Sequence, residues 1–431
     1  MTLDLILRNA TLPDGRAGMD LAMHGGRFVE IAPAIAAAAA REIDAAGRLV
    51  TPPFVDAHFH LDATLTLGLG GRVNESGTLA EGIRLWDELR PHVTAAALRR
   101  RALAYCDLAV SQGLLAIRSH VDVSDDALMG AEVLVEVKKQ VAPYLDLQLV
   151  AFPQMGYFSK PSLAENLRRA LDLGVDVVGG IPHFEATAEL GRDSIRALCA
   201  LAAARGLRVD MHCDETDDPL SRHVETLAHE TRRLGLGGRV AGSHLCSLHS
   251  MDNFYAARLI GLMAAAGLAA VANPLANMVL QGRFDTYPKR RGMTRVPELM
   301  AAGCPVALGH DSVLDPWYPL GRADMLEVAH MAVHAGHMTS QAGMRACFAA
   351  VTEVPARILE LEGYGIAVGC HADCVLLQAR NPVDAIRLKP ARLAVIRRGR
   401  VVAEAAPAVS RLSLPGRPES IDPSAARSIE V

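Results

Sequence analysis

The sequence predicts an α/β protein built on a (β/α)8 TIM-like barrel, with strand-rich segments at both chain termini. Two observations predict it. Between about residues 54 and 360, short apolar strands alternate with Ala/Leu/Arg-rich helical stretches, the rhythm of a parallel α/β fold. Eight such strands can be marked, the number that closes a barrel, and all but the seventh end in polar residues of chemical interest.

Taken in order, residues 3–50 read as short strands separated by turns: LDLILRNATL, DLAMHGGRFVEIAP and GRLVTP. Their alternation and Gly-bearing turns indicate β-hairpins. The Ala-rich residues 34–40 are expected in a turn or short helix at the surface. The barrel strands follow as FVDAHFH, LLAIRSHVDV, LDLQLVAFPQ, VDVVGGIPHF, LRVDMHCDE, RVAGSHLC, LAAVANPLAN and CPVALGHDS. TAAALRRRALAYCDLAVSQG and AENLRRALDLG are among the helical stretches between them. Residues 365–404 repeat the hairpin pattern (GIAVGCHADCVLLQ, LAVIRRGRVVAEA). The tail after about Pro407 is rich in Pro, Ser and Arg and is expected to be extended or loosely ordered.

Composition removes several classes of function. Of 431 residues, 44 are Lys or Arg and 48 are Asp or Glu, a net charge of −4, so no basic surface exists for a nucleic-acid polymer. Half of the residues are hydrophobic, which excludes disorder. No signal peptide is expected at the N-terminus, and no apolar run approaches the roughly 18 residues of a membrane span. Eight scattered cysteines without a CxxC pair point to reduced thiols and a cytoplasmic protein. Cys370-His371-x-x-Cys374 reads as a turn leading into a strand rather than a metal site.

In a barrel the strand C-termini converge on one face. His58 and His60 end the first strand, His120 the second and Gln154 the third. His183 follows the fourth, His212 and Glu215 end the fifth, His244 ends the sixth, and Asp311 and Ser312 the eighth. In a strand, residues i and i+2 share a face, so His58 and His60 reach one ion together. Imidazole suits zinc and iron alike, and a catalytic site keeps one position open.

These segments, with NESGTLAEGI, HCDETDD, NPLAN, LQGRFDTYPKRRGMTRV and GHDSVLDPWYPLG, resemble the amidohydrolase superfamily, and within it the bacterial cytosine deaminase family. The resemblance covers nearly the whole chain. It implies a small β-sandwich domain formed by both termini (residues 1–53 plus 362–431) beside a metal-dependent catalytic barrel (residues 54–361). It implies that His58, His60, His212 and Asp311 hold one divalent metal, Zn2+ or Fe2+. His244 would hydrogen-bond the attacking water, Glu215 would shuttle protons, Gln154 would bind the amide edge of a pyrimidine, and Trp317 would wall the pocket. It further implies a homo-oligomer. Binuclear relatives carry a carbamylated Lys near the fourth strand. VDVVGGIPHFE has none, so one metal is expected.

The expected reaction is hydrolytic deamination of a free cytosine-like base with release of ammonia, Glu215 protonating the ring nitrogen and Asp311 accepting the water proton. His120 and His183 are open between a supporting role at the metal and plain core packing. Lys289-Arg290-Arg291 is expected in a solvated or interface turn. His330, His334 and His337 are expected on one helical face, in packing or a subunit contact. The family carries a second Asp after the metal-binding one, where this chain has Ser312. The smaller neutral side chain leaves room for a methyl group, worth about 0.8 kcal/mol when buried. A C5-substituted cytosine such as 5-methylcytosine is therefore the expected substrate. Cytosine itself, isoguanine, creatinine or an aminotriazine are the alternatives, and an inactive barrel scaffold is the alternative of another class.

Overall fold

A computed structural model of the chain describes residues 2–425. The N-terminal segment forms β1 (Leu3–Ala10), β2 (Met19–His24), β3 (Arg27–Ala32) and β4 (Ala39–Asp44), in the sheet order β3-β2-β1-β4. The expected hairpin is β2–β3, turning at Gly25-Gly26, both at positive φ. The Ala-rich residues 34–40 form no helix. Their last two residues open β4, which pairs in parallel with β1 at the sheet edge.

A short β5 (Val50–Thr51) leads into eight parallel barrel strands. These are β6 (Phe54–Phe59), β7 (Leu114–Asp122), β8 (Asp146–Phe152), β9 (Val177–Gly180), β10 (Arg208–Cys213), β11 (Val240–His244), β12 (Ala269–Ala272) and β13 (Val306–Leu308). They coincide with the eight strands marked in the sequence. The sheet closes through the segment after β13, where Asp311 N–H donates to the His58 carbonyl at 2.8 Å. Closure is thus made by two residues of the candidate site. Outer helices include Ala95–Ser111, whose Thr94 side chain caps its N-terminus, and Leu163–Leu173, which ends at Gly174 in the left-handed region. Both match the expected helical stretches. Helix Leu79–Leu89 is an insertion between β6 and the helix Ala95–Ser111.

The chain returns through β14 (Cys374–Leu377), β15 (Arg392–Arg397) and β16 (Arg400–Glu404), which join β5 in the order β16-β15-β14-β5. Its inner strands β14 and β15 are buried on both faces, whereas the edge strand β16 is partly exposed. Cys374, Leu376, Ala394 and Ile396 share a core with Leu5, Leu7 and Phe28 of the N-terminal sheet, whereas Val375, Leu377 and Val395 enter the barrel's core. The two-residue alternation of a strand explains this division, and burial of both faces explains the unbroken CVLL run. Gly113 sits where a Cβ would come 2.8 Å from Val375 Cγ2, so the sheet packs directly on the chain there. The turn before Cys374 is as expected. The helix Pro382–Leu388, capped by Asn381, was hidden inside a segment that reads as hairpins. Of the tail, Ser410–Arg411 and Ser420–Ile421 pair as a two-stranded ribbon, and residues 426–431 lie outside the described residues. No helix among the described residues is long and apolar enough to cross a membrane.

Candidate active site

The C-terminal ends of the barrel strands bring together His58, His60, His120, His212, His244, Glu215 and Asp311, all buried. His60 Nε2 lies 3.1 Å from His212 Nε2. Asp311 Oδ1 lies 3.3 Å from His58 Nε2 and 3.5 Å from His60 Nε2. Metal–nitrogen bonds of ~2.0–2.1 Å place neighbouring vertices of a tetrahedron about 3.3 Å apart, so these spacings fit four ligands of one ion. Burial pushes His60 and His212 well below the usual imidazole range, and His120 and His244 down to about 4 and about 3. The rings are therefore neutral, as ligands must be. His58 Nε2 makes no hydrogen bond although it is buried. Among the described residues, metal-sized clusters are formed by His58 with His60 and His120, and by His58 with His212 and His244.

Supporting groups fix these rings. The Phe152 ring stacks on His212, with centroids 4.0 Å apart. The Asp56 carboxylate accepts from the N–H groups of His58 (3.2 Å) and His310 (3.0 Å), tying β6 to the segment that carries Asp311. Asp210 accepts from Arg118 at 2.8 Å and from Ser243 at 2.7 Å, and its Oδ1 lies 3.7 Å from His120 Nε2. His120 in turn lies against His58, with ring centroids 4.2 Å apart. Asp214 accepts from the N–H groups of His223 (3.0 Å) and Val224 (2.8 Å), capping helix His223–Arg233 and anchoring the loop that carries Glu215.

Two residues to which the sequence reading gave no role belong to the site. Asn273 and Asn277, after β12, place their side-chain nitrogens 3.2 and 3.0 Å from His244 Nδ1. The seventh strand thus also ends in useful polar groups, contrary to expectation. The signal was the second Asn of NPLAN, one helical turn after the first, which puts both amides on one face. Arg118 and Asp210 were likewise legible. Each lies two residues before a site histidine in its strand, so each faces the barrel interior one layer below.

Glu215 lies with its Oε1 3.5 Å from His244 Nδ1. Burial, then the charge of Asp311, raises its carboxyl well above the usual range. Burial acts on Asp311 in the same direction, but the neighbouring His244, His58 and His60 outweigh it and hold Asp311 below its ordinary value. His244 and Asp311 both adopt the left-handed backbone region, with φ of 70° and 72°. Non-glycine residues in that region concentrate at functional sites.

A narrow pocket with about 450 Å³ of empty space adjoins the cluster. Gln154, His183, Glu215, Ser312, Trp317 and Ile83 are among its lining residues. The structure therefore places every candidate residue from the sequence at one site, with His183 at the pocket wall. The other histidines separate from it. His330 and His334 lie side by side on helix Met325–Ala335, their rings tilted with centroids 4.5 Å apart. His337 lies beyond the helix end with φ of 53° and pairs with Arg291, so the three do not share one helical face. Arg290 pairs with Asp285 in the exposed loop.

Residues 41–403 match the amidohydrolase family. The chain belongs to that family. It is similar to the crystal structure of 5-methylcytosine deaminase from Klebsiella pneumoniae liganded with phosphonocytosine, at 42% identity and a TM-score of 0.91, covering 95% of this chain and 100% of that one. The pterin deaminase of Rhizobium rhizogenes is 31% identical over 93% of this chain and 94% of its own length. The N-isopropylammelide isopropyl amidohydrolase of Pseudomonas sp. is 29% identical over 93% and 97%.

Proposed function

We propose that this member of the amidohydrolase family is a metal-dependent deaminase of a free cytosine-like base, releasing ammonia, with 5-methylcytosine preferred over cytosine. The observation that carries the reading is the narrow pocket that unites His60, His212 and His244 with Glu215, Asp311, Gln154 and Ser312. The likeness to 5-methylcytosine deaminase supports the substrate class.

His58, His60, His212 and Asp311 would hold the divalent ion, Zn2+ or Fe2+. When bound, such an ion lowers the pKa of a water toward neutrality and supplies the nucleophilic oxygen. Asp311, held ionised, accepts the water proton. The side-chain nitrogens of Asn273 and Asn277 both face His244 Nδ1; in the tautomer that accepts there, the ring proton sits on Nε2, and His244 would donate it toward the attacking oxygen instead of ligating. Glu215, raised by burial, keeps a proton and delivers it to the ring nitrogen beside the carbon under attack. That carbon becomes tetrahedral; the proton held by Asp311 passes to the amine, the carbon–nitrogen bond breaks to release ammonia, and the hydroxyl proton returns to Glu215 as the carbonyl forms. Gln154 reads the amide edge of the ring, Trp317 covers its face, and Ser312 leaves space at C5.

The test is ammonia release from cytosine, 5-methylcytosine, isoguanine, creatinine and an aminotriazine by enzyme loaded with Zn2+ or Fe2+. The highest kcat/KM is expected on 5-methylcytosine. A clear preference for cytosine would remove the C5 assignment, and no release from any base, with only trace metal bound, would favour an inactive scaffold. Eight free cysteines support a cytoplasmic location. The homo-oligomer implied by family resemblance belongs to the same reading and is checked by light scattering.

A further inference from the structure

Two walls of the active-site pocket come from segments far apart in the chain. Leu79 and Ile83, on helix Leu79–Leu89, form one, and Trp317, in the loop after β13, forms another. The walls meet at Gly82, whose lack of a side chain admits the indole. The turn that carries Trp317 is held by one carboxylate. Asp315 Oδ1 accepts the N–H groups of Trp317 and Tyr318, each at 2.9 Å, and the Asp315 N–H donates to the Tyr318 carbonyl at 3.2 Å. Asp315 is only 1% exposed, so these donors are satisfied by its side chain and not by bulk water. Pro316, at the second position of the turn, presets its own φ.

A second residue joins the two walls. The Asn74 side-chain nitrogen donates to the Pro316 carbonyl at 3.0 Å and to the Thr78 carbonyl at 2.9 Å, while its oxygen accepts the Gly77 N–H at 2.8 Å. Thr78 is the N-cap of helix Leu79–Leu89. One amide thus bridges the start of the helix and the turn that carries Trp317, with both of its protons engaged. Among the described residues, neither Asn74 nor Asp315 is part of the pocket lining; both act from behind it.

We infer that Asp315 and Asn74 are positioning residues that set the gap between Trp317 and helix Leu79–Leu89, and through that gap the binding of a flat ring. The inference rests on the proposed function in taking the occupant to be a planar base covered by Trp317. Contact between an indole and a ring face is made in the ground state and the transition state alike. Loosening it therefore weakens binding without removing a step of the chemistry, so KM rises and kcat is little altered. This separates the two residues from Glu215, whose loss acts on kcat.

The experiment combines kinetics with tryptophan fluorescence of the full-length, metal-loaded protein. Asn74→Ala removes the bridge at a half-buried loop position, and Asp315→Ala removes the acceptor of the turn. In each, KM on the best substrate of the ammonia-release screen should rise by about five-fold or more, with a smaller change in kcat. Trp86 and Trp317 are the only tryptophans and pack on each other with ring centroids 6.3 Å apart, so quenching by acrylamide reads this region without substrate. Quenching should increase in both variants. Asp315→Asn keeps a carbonyl oxygen for the two N–H groups and should recover most of both losses. Asn74→Ala carries the test if Asp315→Ala does not fold. Unchanged KM or unchanged quenching in Asn74→Ala, a fall in kcat at constant KM, or an Asp315→Asn variant as impaired as Asp315→Ala would overturn the inference. If the unaltered protein releases ammonia from no base, the deaminase reading fails, and the quenching comparison still tests the two residues. If it releases ammonia and the variants behave like it, the positioning role alone fails.

Discussion

At Glu215, burial and the charge of Asp311 both favour the protonated carboxyl, which suits the proposed proton transfer. Glu215→Gln preserves shape and removes this proton transfer. It should lower kcat by about 10²–10⁴-fold, with metal content unchanged by elemental analysis. A variant that also lost its metal would show that Glu215 holds the ion rather than the proton. Ser312, buried at the pocket wall, is the residue on which the proposed ring choice rests. Ser312→Asp returns bulk and a carboxylate to the space assigned to the C5 methyl. A buried methyl worth about 0.8 kcal/mol corresponds to about four-fold, so the ratio of kcat/KM on 5-methylcytosine to that on cytosine should fall by at least that factor. An unchanged ratio means that this position does not read C5.

Helix Leu79–Leu89 shows what an inserted element contributes. Its N-terminus is capped by Thr78, whose side chain accepts from Glu81 N–H, and its buried face presents Ile83 and Trp86. Gly82 lies against Trp317, where a Cβ would come 2.5 Å from the indole Cδ1. Replacing Gly82 by Ala gains about 1 kcal/mol of helix propensity. The overlap costs about 1–3 kcal/mol and is relieved by displacing the indole. The overlap therefore decides the outcome, and the expected result is a several-fold rise in KM with little change in metal content. An unaltered KM would show that Trp317 does not set the pocket's width. The strand ends were legible because a two-residue period places His58 with His60 and Arg118 with His120. The packing of helix Leu79–Leu89 on the pocket was not, because its sequence carries no sign of which barrel segment it covers.

For the molecule as a whole, two measurements probe the packing. Burial pushes the thiols of Cys106, Cys199 and Cys347 up to about 12 and that of Cys304 to about 11, and seven of the eight cysteines are buried. At pH 8 their thiolate fractions are negligible, so a thiol reagent should label only Cys370 in the native protein and all eight cysteines after unfolding. Rapid labelling of several native thiols would contradict this core. Chelation should abolish ammonia release and lower the Tm, because an ion bound only by the folded state stabilises it by mass action. Zn2+ or Fe2+ should restore both, and an unchanged Tm would argue against the four-ligand site. The sequence by itself determined the eight barrel strands, the side-chain types available as metal ligands and the presence of Ser312 beside Asp311, on which the proposed substrate choice rests. Each depends on local periodicity or on side-chain chemistry, which the sequence carries directly. Only the tertiary structure decided that Asp311 closes the barrel onto His58, that Asn273 and Asn277 face His244, and that Gly82 of helix Leu79–Leu89 packs on Trp317. These relations join residues distant in the chain, and their geometry exists only once the barrel is closed.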